Sequence, residues 1–211
     1  MNVIYPFLLY LLLYQPLASV LYRIFHDALG LALSRLFCLL CSGLFVLVLE
    51  LDLLRRGPGT YSDFHKIELK NGKALHFPGS ILLAVVAGSL LNRGITYLST
   101  RIVSKGFADA DATLRGSGLP VLYLATVIVL PLLEEVVFRG ILLGRLDERF
   151  GRAWGILLSS LLFGLIHFNL IQFLYAFLCG MILSLLVIYN RNLWASVIAH
   201  SILNLITILS I

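Results

Sequence analysis

The protein has 211 residues, of which 60% are hydrophobic and only 13% are charged, and its mean hydropathy is +0.97. Soluble domains average about 25% charged residues, so this composition excludes a water-soluble globule, a disordered chain and a disulfide scaffold. The net charge of +5 is explained more simply by basic cytoplasmic loops of a membrane protein than by nucleic-acid binding, and no nucleic-acid partner is predicted.

Long apolar runs predict an all-α, polytopic transmembrane bundle of about seven helices embedded in a lipid bilayer. In chain order, the predicted spans are 3–22, one within 28–54, 77–98, 120–146, two within 153–190, and 193–211. Pro120 suits the first turn of the fourth span. The uncharged run 153–190 is too long for one span, and the segment HFN at 167–169 is the best place to divide it. A short basic loop is predicted at 147–152 and a turn at 190–192.

Loop charge predicts the orientation of these helices, because Lys and Arg concentrate in cytoplasmic loops. The loops 55–76, 145–152 and 190–192 together carry more Lys and Arg than the loops on the opposite side. We therefore predict a multi-pass integral membrane protein with a cytoplasmic N-terminus. The short chain without extensions favours a prokaryotic plasma membrane.

A small set of polar side chains interrupts the apolar runs of the C-terminal part. Ionisable groups deep in a bilayer are costly, and they persist mainly when they are paired or functional. Counted from the nearest predicted loops at about 1.5 Å of rise per helical residue, these polar side chains fall at similar depths in the bilayer. The set comprises Glu134, Glu135, Arg139, His167, His200 and Asn204.

The spacing of the first three predicts different roles for the two glutamates. Glu135 and Arg139 are four residues apart, so they share a helix face and can form an ion pair. Glu134 lies about 100° around the helix from Glu135 and faces elsewhere. The spacing therefore leaves one carboxylate free for chemistry.

The remaining pairs are also four residues apart. Phe163 can pack on His167 and fix its rotamer, and His200 and Asn204 present two hydrogen-bonding groups from one helix face. A carboxylate beside an imidazole can polarise a water for attack on a carbonyl. A second histidine and an asparagine can donate to the developing oxyanion. This polar layer therefore suits hydrolysis.

Three ordered motifs carry a resemblance to a known family. The segments EEVVFR at 134–139, FGLIH at 163–167 and HSILN at 200–204 resemble the patterns E-E-x-x-x-R, F-x-x-x-H and H-x-x-x-N/D of the CPBP family. These are the CAAX protease and bacteriocin-processing (Abi) intramembrane proteases, which are related to the eukaryotic type II CAAX prenyl endopeptidase. The resemblance covers about 120–211.

The resemblance implies an intramembrane endopeptidase that cleaves a membrane-associated protein or peptide. It assigns activation of water to Glu134 and His167, and an oxyanion hole to His200 and Asn204. No cofactor is expected in this glutamate mechanism. Older descriptions of the family imply a zinc metalloprotease in which Glu134, His167 and His200 would hold the metal. The residues that would orient the site are Glu135, Arg139 and Phe163.

The resemblance also divides the chain into two parts of one integrated membrane domain. Residues 1–115 are predicted to form N-terminal transmembrane helices and polar loops, and residues 116–211 the catalytic core.

Other classes of membrane protein fit the sequence less well. A transporter or proton relay would usually show broken helices and a repeat between halves, and neither is evident. A site-two-type zinc protease requires H-E-x-x-H, which is absent. A serine protease could use the GSG at 116–118, but that segment lies at the opposite side from the polar layer. A non-catalytic scaffold with the protease fold is the alternative left open, although such proteins usually lack a motif residue.

Overall fold

The structure is a computed structural model that describes residues 76–99, 124–167 and 170–210, together with separate residues between 7 and 48. These residues form helices joined by tight turns, and no strand occurs among them, which confirms the all-α prediction for this part of the chain. The α-helices are α1 His76–Ser99, α2 Leu130–Glu135, α3 Leu143–Phe150, α4 Arg152–Leu165, α5 Leu170–Asn190 and α6 Leu193–Leu209. The π-helical segments are Tyr10–Tyr14, Leu124–Val129 and Val136–Leu142.

Among the helices that the structure describes, two are long and apolar enough to cross a membrane, namely Phe77–Tyr97 and Leu170–Asn190. The apolar helices α4 and α6 are shorter. The spans predicted at 3–22 and within 28–54 are described only in part, as helical residues between 7 and 48. The predicted total of seven spans is therefore not established by the structure.

The fourth predicted span is a continuous helical run over 124–150, which we call the motif helix. In it, π-helical segments alternate with α2 and α3. The backbone at the junction residues Val129, Glu135 and Leu142 stays in the right-handed helical region, so the chain does not turn there. Pro131 lacks an N–H and cannot continue a regular hydrogen-bond ladder, which is a local cause of the π-helical segment before it.

The prediction of a basic loop at 147–152 is wrong, because most of these residues are helical. Asp147 remains in α3, which continues to Phe150, and Gly151 alone separates α3 from α4. Gly151 has φ 84° and ψ 162°, a region open essentially to glycine, so one residue can change the chain direction. Its N–H donates to the Asp147 carbonyl at 2.8 Å, and its carbonyl accepts from the Gly155 N–H at 2.9 Å.

The other two predicted interruptions are present. The helix α4 ends at Leu165 and α5 begins at Leu170, so the long apolar run is divided at the predicted place. At the second turn, α5 ends at Asn190 and α6 begins at Leu193. The side chain of Asn192 caps α6 by accepting from the Trp194 N–H at 2.8 Å.

The motif helix lies at the centre of the packed helices. Every residue of its segment Val136–Leu142 is buried. It contacts α4, α5 and α6, and α1 packs against α5 and α6. Ser80 and Asn190 exchange side-chain hydrogen bonds of 3.0 and 3.2 Å, which join α1 to the end of α5. This arrangement brings the three motif segments together.

Candidate active site

A fully buried ion pair lies beneath the site. The Nη1 of Arg139 donates to the Oε1 of Glu135 at 3.0 Å, and neither side chain is exposed. This is the pair that the four-residue spacing predicts. Removing two charges from solvent is unfavourable, and close pairing offsets that penalty. Glu135 is therefore held as a carboxylate beside its cation.

The ring of Phe163 connects the three motifs. The Cζ atom of Arg139 lies 4.2 Å from the centre of this ring, in cation–π geometry. The edge-to-face contact with His167 has a centroid distance of 5.3 Å, as the sequence spacing predicts. A similar contact of 5.8 Å joins Phe163 to His200. One aromatic side chain thus contacts a residue from each motif.

His200 lies between the two adjacent glutamates. Its Nδ1 is 2.9 Å from the Oε1 of Glu135, and its Nε2 is 3.7 Å from the Oε2 of Glu134. An ionised carboxylate can only accept a hydrogen bond, so Nδ1 is the donor to Glu135. The other ring nitrogen, Nε2, faces the side of the site where Glu134 lies. The third motif is therefore oriented by the first, across 65 residues of chain.

Asn204 is positioned by a backbone carbonyl of the motif helix. Its Nδ2 donates to the Thr126 carbonyl oxygen at 2.9 Å. Thr126 lies in a π-helical segment, where a carbonyl bonds the N–H five residues later. That residue is Pro131, which has no N–H. The Asn204 amide supplies a donor to this carbonyl, and an amide has a second N–H for another acceptor.

His167 follows the end of α4. Its Nδ1 lies 3.0 Å from the Phe163 carbonyl oxygen. A carbonyl only accepts, so Nδ1 carries the hydrogen, and in the neutral ring Nε2 then carries the lone pair. The local backbone therefore sets His167 in the tautomer that a proton acceptor at Nε2 requires.

Four of the predicted site residues line one cavity of about 380 Å³, namely Glu134, His167, His200 and Asn204. Phe163 also contributes to its wall. The ion pair of Glu135 and Arg139 is fully buried and supports the site from outside the cavity. Of the three residues predicted to orient the site, Glu135 and Arg139 thus lie outside the cavity, whereas Phe163 forms part of its wall.

The geometry also bears on the alternative of a zinc centre. Within the described parts of the chain, no group of three or more His, Cys, Asp or Glu side chains is arranged to hold a metal ion. Glu134, His167 and His200 share a cavity without forming such a group. Metal dependence stays a prediction for experiment.

Sequence reasoning did not select several residues that build the site. The cavity walls also include Tyr10, Thr126 and Tyr175. The role of Thr126 depends on its main-chain carbonyl, which every residue has, so no side-chain pattern could identify it. Tyr10 comes from a segment far away in sequence, and only its position in the fold places it beside the motifs.

The cavity lined by Glu134, two histidines and an asparagine lies in the part of the chain that resembles a known family. Residues 116–206 match the family model described as "Type II CAAX prenyl endopeptidase Rce1-like". This match confirms the resemblance recognised from the three motifs. The apolar helices and the family match together identify a membrane protein.

A curated relative shows a second similarity of the same kind. The chain is 31% identical over 86 residues to "Putative membrane peptidase YdiL" of Bacillus subtilis (strain 168). The aligned part covers 41% of this chain and 35% of the relative, so the chain spans about a third of the relative's length. No solved structure gives a significant match.

Proposed function

We propose that the protein is an intramembrane endopeptidase that hydrolyses a peptide bond of a membrane-associated protein or peptide. The observation that supports this most directly is the single cavity lined by Glu134, His167, His200 and Asn204. A carboxylate, two imidazoles and an amide provide a base and hydrogen-bond donors around a common space. The names of the matched family and of the relative are also those of peptidases.

In the proposed reaction, Glu134 acts as the general base. It lines the cavity, whereas the positive charge of Arg139 is used by Glu135. Glu134 takes a proton from a water molecule as the water oxygen bonds to the peptide carbonyl carbon, and His167 orients that water through Nε2. The tetrahedral intermediate then breaks its C–N bond, and the proton on Glu134 passes to the leaving nitrogen.

His200 and Asn204 stabilise the oxyanion in this proposal. Because Nδ1 of His200 already donates to Glu135, its Nε2 is the group left for the substrate oxygen, and it must carry a proton to donate. The charge of the doubly protonated ring is balanced by the carboxylates of Glu134 and Glu135. Asn204 contributes the amide N–H that Thr126 does not use.

The cellular setting forms part of the proposal. The chain would lie in a prokaryotic plasma membrane as a multi-pass protein with a cytoplasmic N-terminus, and its partners would be the lipid bilayer and the substrate. The substrate class is a lipidated or otherwise membrane-associated polypeptide, which can diffuse laterally to a site within the bilayer.

A comparison of new peptide N-termini tests the proposal even while the substrate is unidentified. The full-length protein and its Glu134→Gln variant are expressed in the same membranes, and N-terminal peptides are compared by mass spectrometry. Glu148→Gln is the matched control, because Glu148 is exposed on α3. We expect new N-termini with the wild type and with Glu148→Gln. With Glu134→Gln, we expect these N-termini to form about 10²–10⁴ times more slowly. Equal cleavage by Glu134→Gln would contradict the mechanism, and no cleavage by the wild type would favour the scaffold.

Metal analysis separates the two mechanisms of hydrolysis. We expect cleavage to persist in the presence of a chelator, because the proposed base and oxyanion donors belong to the protein. In the zinc mechanism, the chelator would abolish cleavage, and His200→Ala would remove both metal and activity. Bound zinc that disappears in His200→Ala would overturn the glutamate mechanism and leave the peptidase assignment intact.

A further inference from the structure

Gly180 of α5 lies directly against the guanidinium of Arg139. A Cβ atom added at Gly180 would lie 2.9 Å from Arg139 Nη2, 3.2 Å from the Cβ of Ser160 and 3.3 Å from Cδ1 of Phe163. The first of these distances is shorter than the contacts that real Cβ atoms make, so any side chain at this position must displace the guanidinium. The need for glycine here comes from the lack of space. It does not come from the backbone, because Gly180 does not have a positive φ.

The guanidinium has little freedom to move away. Arg139 is fully buried, its Nη1 is bonded to Glu135, and its Cζ lies over the ring of Phe163. A flexible arginine at a surface would yield to an added methyl group, whereas this one can yield only by disturbing those contacts. The effect would reach His200, because the same atom, Glu135 Oε1, accepts from both Arg139 and His200 Nδ1.

We propose that Gly180 is a positioning residue, whose missing side chain seats Arg139 against Phe163 and thereby sets the position of His200 and its Nδ1 hydrogen bond to Glu135. Gly180 acts through Arg139 and Glu135, and it does not itself line the cavity. The consequence for catalysis rests on the proposed function. The consequence for the His200 ring does not, because it follows from the hydrogen-bond chain alone.

The state of the His200 ring provides the main test. We would label the histidines of the full-length protein with ¹⁵N in detergent micelles and assign the ring signals by His200→Gln. Gly180→Ala is expected to shift the His200 Nδ1 signal away from that of a hydrogen-bonded N–H. Gly94→Ala is the control in open space, and Gly155→Ala is the control for tight packing, against the Asp147 backbone at 3.0 Å. Both controls should leave the His200 signals unchanged. An unaltered His200 signal in folded Gly180→Ala would overturn the proposal.

A double-mutant cycle keeps the proposal testable if Gly180→Ala alone folds poorly. Lysine has no Nη2, so Arg139→Lys should remove the clash that the added methyl group creates. We expect Gly180→Ala to lower the Tm substantially in the wild-type background and much less in the Arg139→Lys background. Equal Tm decreases in the two backgrounds, or a failure of Arg139→Lys to restore folding, would overturn the proposal.

The cleavage assay adds an independent measurement. We expect Gly180→Ala to lower kcat by up to about 10² with KM little changed, because small displacements of catalytic groups slow the chemical step. Wild-type kcat in this variant would contradict the catalytic consequence. If the wild type cleaves no substrate while the His200 signal responds as expected, the proposed function fails and the positioning role of Gly180 stands.

Discussion

Glu134 and Glu135 are adjacent in sequence, yet they occupy different environments. A rotation of about 100° per helical residue points one side chain into the cavity and the other toward Arg139. Glu135 is fully buried, and one of its oxygens accepts from both Arg139 and His200. Glu134 is partly exposed to the cavity and keeps acceptor capacity for a water. The pair thus divides into a structural carboxylate and a candidate base.

The buried ion pair predicts a large effect of Arg139→Leu on stability. The substitution leaves the carboxylate of Glu135 buried without its cation, which typically lowers the free energy of unfolding by about 3–5 kcal/mol. Chemical denaturation in detergent measures the change. Arg152→Leu is the control, because its contact with Asp147 is 4.0 Å long and Arg152 is 67% exposed. That pair should contribute less than about 1 kcal/mol. Normal expression and full activity of Arg139→Leu would contradict this prediction.

Asn204→Ala is predicted to slow cleavage without abolishing it. The loss of one oxyanion donor typically reduces kcat by about 10²–10³, whereas His200 can still donate. Asn190→Ala provides a matched asparagine control, since its amide bonds Ser80 and neither residue lines the cavity. Steady-state kinetics on the substrate found by N-terminal analysis would measure both variants. Identical kinetics for the two would count against the oxyanion assignment.

At the scale of elements, the ends of the helices depend on single residues with special backbone requirements. Gly151 joins α3 to α4 with a positive φ, and Arg191 joins α5 to α6 with φ 50°. The two positions differ chemically, because glycine adopts its conformation without steric conflict and arginine does not. A short connection keeps sequential helices in contact, and this brings the end of α4 beside the motif helix.

Gly151→Ala is therefore predicted to destabilise the protein by about 1–3 kcal/mol. Among the described residues, no atom other than those of the chain neighbours lies within 4 Å of the added Cβ, so the penalty would come from the backbone angle. Arg191→Gly is the reverse experiment, and it should leave stability unchanged or slightly increased. Thermal unfolding of both variants measures the difference. Wild-type stability of Gly151→Ala would show that this connection does not require a positive φ.

At the scale of the whole molecule, apolar side chains face outward as well as inward. On α1, the side chains of Leu82, Leu83 and Leu90 are 63–71% exposed. Such a surface is unfavourable in water and favourable against acyl chains. The fully buried ion pair of Glu135 and Arg139 lies instead among the packed helices. The described helices therefore combine an apolar exterior with an apolar core that encloses one buried ion pair.

Orientation in the membrane is predicted from loop charge and can be measured directly. Single cysteines at Arg149 and Arg191 should be labelled only from the cytoplasmic side, and a cysteine at Lys105 only from the opposite side. The measurement uses a membrane-impermeant maleimide on right-side-out and inverted vesicles, in a variant whose native cysteines are replaced by serine. The opposite pattern would show an inverted protein. Labelling of Arg149→Cys and Arg191→Cys from different sides would refute the predicted arrangement of the last helices.

Local features of this protein could be predicted from its sequence because they depend on neighbouring residues. The apolar run that forms α1, the interruptions at 167–169 and 190–192, and the pair of Glu135 with Arg139 all follow from hydropathy and helical periodicity. The ordered motifs predicted the family that residues 116–206 match. The loop at 147–152 was predicted wrongly, because charged residues can continue a helix as readily as they form a loop. Here Gly151 alone provides the turn.

Contacts between distant residues were decided only by the tertiary structure. Sequence spacing could not show that Glu135 holds His200 Nδ1, that Asn204 bonds the Thr126 carbonyl, or that Gly180 makes room for Arg139. Each contact depends on how two helices pack, and backbone carbonyls and missing side chains leave no chemical pattern in the sequence. The sequence by itself determined which residues carry the polar groups, because their type and periodicity are local. The packing of the helices determined which of those groups share an atom, because hydrogen bonds form only at distances of about 3 Å.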